Sequence, residues 1–520
     1  MDVPPPVLRS ALMLIAERTR KVERLGWITA SHVCQRWRVL MLRMPLLWAG
    51  VSGGIFPSRD ICEVMIKRAG DRPLSFFGDW PSHANYVRGS LVSTTDTVTE
   101  LIPSYRSRVE ELALRIDGRA EAKTICGHHL PQLKRLYLEA YDILPYDDAD
   151  AIDAPQLRSL RMDYIVVPFQ AQNLRFLSID IVNAVNELSR AAFHVIELAP
   201  MLEELELSHF AFRVEDDEDE PEDDEGPIPL STPIDLHALT SLTYDGLSKY
   251  LHVLLQSFLI NEGARISVEI PGRDSQLNLF IILQDMLQRV ENDHLCLSFS
   301  RENSTWSLFA HVYPSADGPC HEIDVVDRRG RNGVHISAIS DCIANAAEID
   351  IAFTTPDTFI SALVARLNTH NIRSLDLDLV LNLRTNEHGG PNDIGEALQP
   401  LKNVSTIAVG RGCDMNALKA LFLPEDAAIP LPFPDLKTLV LKHPRECASE
   451  GLGGIDQMLR TWATLGHLCG ALMVRHHPLS CIRVAAFNLE ELGGNEDAWR
   501  AQERLIKGAR AWVDEVELTV

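Results

Sequence analysis

From about residue 105 the chain repeats one short phrase: an apolar residue, two more residues, a leucine or equivalent, one further residue, then another apolar residue. It appears as Val109-Glu-Glu-Leu112-Ala-Leu114, Leu133-Lys-Arg-Leu136-Tyr-Leu138, Leu157-Arg-Ser-Leu160-Arg-Met162 and Leu174-Arg-Phe-Leu177-Ser-Ile179. It returns at Leu202-Glu-Glu-Leu205-Glu-Leu207, Leu239-Thr-Ser-Leu242-Thr-Tyr244, Ile372-Arg-Ser-Leu375-Asp-Leu377, Leu436-Lys-Thr-Leu439-Val-Leu441 and Val513-Asp-Glu-Val516-Glu-Leu518. The step of two in each copy puts both apolar side chains on one face of a strand and the residue between them on the other. A strand with a single apolar face is unstable alone, so the copies are expected to stack and share a core. The leading residues are 24, 24, 17, 28 and 37 positions apart from Val109 to Leu239. Such intervals leave room for a return segment between parallel strands.

Helical periodicity falls between the strands. Ala184–Ala199 aligns Val185, Leu188, Ala192, Val195 and Ala199, and Ser248–Asn261 aligns Leu251, Leu254, Leu255, Phe258 and Leu259. Thr355 caps a third helix with Pro356 at its first position, followed by Phe359, Ile360, Leu363, Val364 and Leu367. Further strands are expected at Ile266–Ile270, Leu295–Phe299, Ile349–Phe353 and Thr406–Val409. In the stretch from Ser300 to Arg331, Trp306, Leu308, Ala310 and Val312 alternate as a strand, and Val325-Val326 begins another. The chain therefore reads as α/β.

The repeated phrase resembles that of leucine-rich-repeat solenoids. The asparagine or cysteine usual in that repeat is absent: its places hold Tyr141, Ile165, Val182 and Phe210. The resemblance implies an irregular leucine-rich-repeat-like solenoid over residues 105–520, with a curved, mainly parallel sheet. Leu112/Leu114, Leu136/Leu138, Leu160/Met162, Leu205/Leu207 and Leu439/Leu441 would then point inward in register. Targets would meet the exposed strand positions, with Arg135, Tyr137, Arg161, Glu204 and Glu206 as candidate binding residues.

The first fifty residues follow a different pattern. Val3-Pro4 opens a segment with Val7, Leu8, Leu12 and Ile15, and helices are expected around Val7–Ile15 and Ser31–Leu42. Val33-Cys34-Gln35-Arg36-Trp37-Arg38 leads to Pro45-Leu46-Leu47-Trp48. Together these residues resemble the F-box of fungal F-box proteins with C-terminal repeats. Val3-Pro4 stands for the Leu-Pro start, residues 33–38 for the V-C-x-x-W-R core, and Pro45-x-x-Trp48 for the close. Pro6 takes the place of the usual glutamate, and Ala11 that of a larger apolar residue. Ser58–Gly70 and Arg72-Pro73-Leu74-Ser75 resemble the linker helix and first strand that follow such a box.

The resemblance implies three segments: a helical F-box at 1–50, a linker helix and first repeat elements at 51–104, and the solenoid at 105–520. It also implies docking on a Skp-type adaptor of a cullin complex, through Val3, Pro4, Val7, Leu8, Val33, Cys34, Trp37, Pro45 and Trp48. The repeats would capture an unknown protein substrate. The other reading is a repeat scaffold whose box no longer docks.

Charge narrows the partner classes. The 520 residues carry a formal charge of −24, which disfavours broad binding to nucleic acid or anionic lipid. Ten of the eleven residues from Glu215 to Glu225 are acidic, so this stretch is expected to be an exposed loop inserted between repeats. No apolar run reaches the roughly 20 residues of a membrane span, and no secretory signal opens the sequence. Ten cysteines without a CxxC pair suit reduced thiols in the cytoplasm or nucleus. Cys126-Gly-His128-His129 and His476-His477 with Cys481 lack the paired spacing of a structural zinc site. Gly451-Leu-Gly453-Gly454 matches no phosphate-binding loop, and no GxSxG, HExxH or kinase signature is present. A non-catalytic protein without metal or cofactor is therefore expected.

Overall fold

The structure is a computed structural model that describes residues 34–50, 58–77, 95–116, 125–144, 151–182, 186–211, 232–246, 248–261, 263–271, 280–289, 292–302, 305–314, 334–341, 356–379, 391–409, 433–441, 479–485, 496–511 and 513–519, with scattered residues between 462 and 473. The expected helix at Val7–Ile15, the strands at Ile349–Phe353 and Val325-Val326, and the acidic run lie outside these residues. The fold is α/β, built on mainly parallel strands. The chain divides into two compact units, one of residues 1–242 with 254–261 and the other of 243–253 with 262–520. The division falls inside the range 105–520 that the repeat pattern treats as one body.

The first unit begins with helices α1 (Gln35–Leu42), α2 (Pro45–Ala49) and α3 (Arg59–Ala69), followed by strand β1 (Leu74–Phe77) and helix α4 (Thr95–Tyr105). Then come β2 (Val109–Ile116), β3 (Arg135–Leu144), β4 (Ile152–Asp153), β5 (Ser159–Ile165), β6 (Phe169–Gln170) and β7 (Phe176–Val182). Helix α5 (Asn186–Glu197) leads to β8 (Glu204–Ala211) and β9 (Ile234–Leu236), and the division falls within β10 (Ser241–Gly246). Strands β1-β2-β3-β5-β7-β8 lie side by side, all parallel. Leu112, Leu136, Leu160, Leu177 and Leu205 are direct partners, as are Leu114, Leu138, Met162, Ile179 and Leu207. All ten are buried, as expected from the phrase.

The leading residues Val109, Leu133, Leu157, Leu174 and Leu202 are also buried. Four of them turn the chain into the next strand while the ladder begins one step later. Lys134, Arg158, Arg175 and Glu203, which follow Leu133, Leu157, Leu174 and Leu202, donate their backbone N–H to the carbonyls of Glu110, Lys134, Arg158 and Arg175. These polar residues of the phrase therefore have satisfied backbone N–H groups at the strand entry, and Lys134 pairs its side chain with Glu110 at 2.6 Å and Arg175 with Glu203 at 2.6 Å. Among the described residues, Val98, Leu101 and Ile102 of α4 and Ala192, Val195 and Ile196 of α5 are also buried.

Helix α6 (Ser248–Ser257) is shorter than its pattern, which ran to Asn261. Residues Phe258–Ile260 form β11 and pair in parallel with β9. Tertiary pairing wins here over local helical periodicity, because Phe258 is buried in the strand position.

The second unit contains β12 (Arg265–Pro271), α7 (Gln284–Leu287), β13 (Asn292–Glu302), β14 (Thr305–Pro314) and β15 (Val334–Asp341). It continues with α8 (Pro356–Val364), β16 (Ser374–Leu379), α9 (Pro391–Leu398), β17 (Thr406–Val409), β18 (Thr438–Leu441), β19 (Cys481–Ala485), α10 (Glu496–Ala509) and β20 (Glu515–Thr519). The order is β12-β15-β14-β13-β16-β17-β18-β19-β20. Every pair is parallel except β13–β14 and β14–β15. Only Asn303 and Ser304 separate β13 from β14, and a link that short permits only an antiparallel pair. The alternation at Trp306–Val312 is this middle strand.

A core residue in register and its outward neighbour should differ sharply. Leu160→Ala is expected to cost about 2–5 kcal/mol in urea unfolding, against within about 0.5 kcal/mol for Ser159→Ala. Equal, small losses for both would contradict the shared core.

Candidate protein-binding surfaces

Two surfaces of the first unit carry the residues singled out by the sequence. The first is formed by α1, α2 and α3. Met41, Leu47, Trp48, Ala49, Cys62, Met65, Ile66 and Ala69 are buried among these helices. Trp48 donates its indole N–H to the Met41 carbonyl at 3.0 Å, and the Arg68 guanidinium lies 4.5 Å from its ring. Trp48 therefore holds the helices together from inside. Trp37 is half-buried, while Cys34 and Pro45 are exposed. Val3, Pro4, Val7, Leu8 and Val33 lie outside the described residues.

The same helices also carry large apolar residues in water. Val39, Leu42, Leu46, Ile61 and Val64 are exposed, Leu46 at 52% and Val64 at 49%. Half of the ten exposed large apolar residues among those described come from these three helices. Such concentration is characteristic of an interaction surface rather than of scattered surface leucines. The helices are also basic: residues 1–77 hold twelve Lys or Arg against six Asp or Glu, while the remaining 443 residues carry −30. Arg59 ties α3 to α4 through Glu100 at 3.5 Å, and Arg108 bonds the carbonyls of Gly70 and Arg72. The apolar surface is thus anchored to the β1–β2 edge of the sheet.

The second surface is the outer face of β2–β8. Its register rows are Glu111, Arg135, Ser159, Phe176, Glu204; then Ala113, Tyr137, Arg161, Ser178, Glu206; then Arg115, Glu139, Asp163, Asp180, Ser208. All five residues expected from the sequence stand here together. Arg135 pairs with Glu111 at 3.0 Å, Arg161 with Asp163 at 3.1 Å and Arg115 with Glu139 at 3.5 Å. The Tyr137 hydroxyl donates to Asp163 at 2.6 Å, with Glu139 at 3.2 Å, and Arg161 lies 5.5 Å from its ring centroid. Burial, then the bond to Asp163, push the Tyr137 hydroxyl far above its usual range, so it remains a donor. Burial opposes the Arg161 charge, but the bond to Asp163, together with the charges of Asp163, Tyr137 and Glu206, holds the guanidinium above its usual value. Desolvation raises Glu139 and Asp180, against the pull of Arg115 and His209 respectively.

The carboxylate row, Tyr164 and His209 were not anticipated. The acidic residues had a signal: Glu139, Asp163 and Asp180 each follow the last apolar residue of a copy. Tyr164 and His209 had none, because strict alternation assigns them to the apolar side. Both have positive φ, 61° and 52°, and this left-handed turn re-aims the side chain. His209 Nδ1 reaches Asp180 Oδ1 at 3.0 Å, and Tyr164 feels the charges of Asp180 and Asp163.

Elsewhere the ionisable clusters are closed. Among the described residues, the only three potential metal ligands with ligand atoms within 4.8 Å of one another belong to Cys481, Glu515 and Glu517. Arg483 already bonds Glu517, and burial pushes the Cys481 thiol up, away from the thiolate a metal needs. His129 of the Cys126 group bonds Asp153 at 2.6 Å. In the second unit Cys296 stands between His311 and Asp376 in register, all three buried and out of a macromolecule's reach. No helix among the described residues is long and apolar enough to cross a membrane. No family model and no curated protein matches the chain.

The raised Glu139 has a testable sign. Its folded state holds the proton more tightly than the unfolded chain, so its contribution to stability falls as pH rises from the unfolded value through the folded one. Glu139→Gln removes that cost while keeping one acceptor oxygen for Tyr137 or Arg115. Its Tm is expected above the parent's at pH 7.5, with the difference closing by pH 4. A lower Tm at pH 7.5 would show instead that the Arg115 ion pair dominates.

Proposed function

We propose that the chain is a substrate-recruiting adaptor of an SCF-type ubiquitin ligase. Its N-terminal helices form an F-box that docks on a Skp-type adaptor. Its repeats form a leucine-rich-repeat-like solenoid that holds the target protein. The chain supplies no reacting group in this reading; the module carried by the cullin performs ubiquitin transfer. The observation that carries the proposal is the exposed apolar patch on basic helices, lying in and just after the V-C-x-x-W-R and P-x-x-W motifs. A large apolar residue left in water loses about 1.5–3 kcal/mol of available burial energy, which a partner groove recovers. The surrounding arginines select a partner whose rim is acidic, and they speed the encounter.

The nine strand phrases and their parallel registers support the solenoid half of the reading. The accessible polar side chains on the strand face suit a protein target, because they differ from copy to copy while the core positions repeat. Compartments that hold cullin ligases, the cytoplasm or nucleus, suit this role.

Binding to a purified Skp-type adaptor tests the proposal. The parent chain is expected to bind, and Leu46→Glu and Val64→Glu are each expected to weaken binding at least tenfold, about 1.4 kcal/mol. Both positions are exposed, so Tm should stay at the parent's value. No binding by the parent would favour the scaffold with a non-docking box.

A further inference from the structure

The charges on the outer face of β2–β8 are unequally accessible. On β3 and β5 solvent meets the arginines, not their partners: Arg135 is 58% exposed against 19% for Glu111, and Arg161 is 50% exposed against 9% for Asp163. On β8 the order is reversed. Glu204 is exposed and Glu206 half-exposed, and among the described residues neither takes part in an ion pair. The face therefore presents a cationic strip and an anionic strip. Between them stand Phe176 and Ser178, in the same two register rows.

The register sets the spacing. Arg161 and Glu206 share a row two strands apart, roughly 10 Å at about 4.8 Å per strand. Glu206 contributes to the field on Arg161, so the two strips act on one another. Neither strip cancels the other, because side chains on strands that far apart do not meet directly.

We infer that this face captures a zwitterionic protein segment, with an acidic side chain on Arg135 and Arg161 and a basic one on Glu204 and Glu206. Half-buried Phe176 offers an aromatic surface beside Glu204 for the aliphatic stem or cation of a lysine or arginine. A uniformly basic segment would meet the arginines and be repelled, and a uniformly acidic one would meet the glutamates. Matching both strips requires opposite charges about 10 Å apart, three or four residues of extended chain. The inference rests on the strand face as the target-holding surface and does not depend on adaptor docking.

The test is selection of a random dodecapeptide display library on the full chain, in parallel with Arg135→Glu/Arg161→Glu and Glu204→Lys/Glu206→Lys chains. Peptides enriched on the parent are expected to pair an acidic with a basic residue three or four positions apart. By fluorescence anisotropy, each double variant should bind those peptides at least tenfold more weakly at a temperature where its circular dichroism matches the parent's. Enrichment of lysine and arginine alone, with binding unchanged by Glu204→Lys/Glu206→Lys, would assign capture to the chain's general negative charge and overturn the inference. No enrichment would overturn it as well. Adaptor binding measured on the same chains separates the two claims: its absence with peptide capture intact overturns the ligase reading alone.

Discussion

Each parallel strand in this chain has one apolar side, and that side is stable only beside its neighbours. The in-register leucines from Leu112 to Leu207 are the constraint on which the rest of the first unit depends. Period two then forces the intervening residues outward, so burying one face composes the other. Tyr137, Arg161 and Glu206 share a row because Leu136, Leu160 and Leu205 share one beneath it. A one-residue slip in any strand would exchange the two faces and bury arginine and glutamate.

That coupling explains what the sequence made legible. All nine copies of the phrase lie at strands, because each copy contains its own face assignment. The five outward candidates fall on one surface for the same reason. Legibility ends where an element departs from strict alternation. Tyr164 and His209 turn through the left-handed region, and nothing in their residue types announces it. Phe258–Ile260 continues a helical pattern but is claimed by a strand partner far away in sequence. The antiparallel strands around Trp306 depend on a two-residue link, which periodicity does not reveal. The basic character of residues 1–77 was legible, but the chain's net charge of −24 hides it unless charge is counted by segment.

The two surfaces of the first unit differ in chemistry. The N-terminal helices keep Trp48 inside and leave Leu46, Ile61 and Val64 outside, as a docking element with its own small core would. The strand face is polar and largely paired, and solvent reaches only a few of its charges. Desolvated Glu139 and Asp180 cost stability at neutral pH, yet they hold Arg115 and His209 in place at the end of the face. In the proposed reading, this separation allows one partner to be constant and apolar while the other is chosen by charge.

Hydrogen–deuterium exchange on the full chain, with and without a Skp-type adaptor, tests the ligase reading most directly. The account predicts slowed exchange in residues 35–49 and 59–69, with the strands from 135 to 207 unchanged. Protection centred on those strands, or no protection anywhere at saturating adaptor, would contradict it.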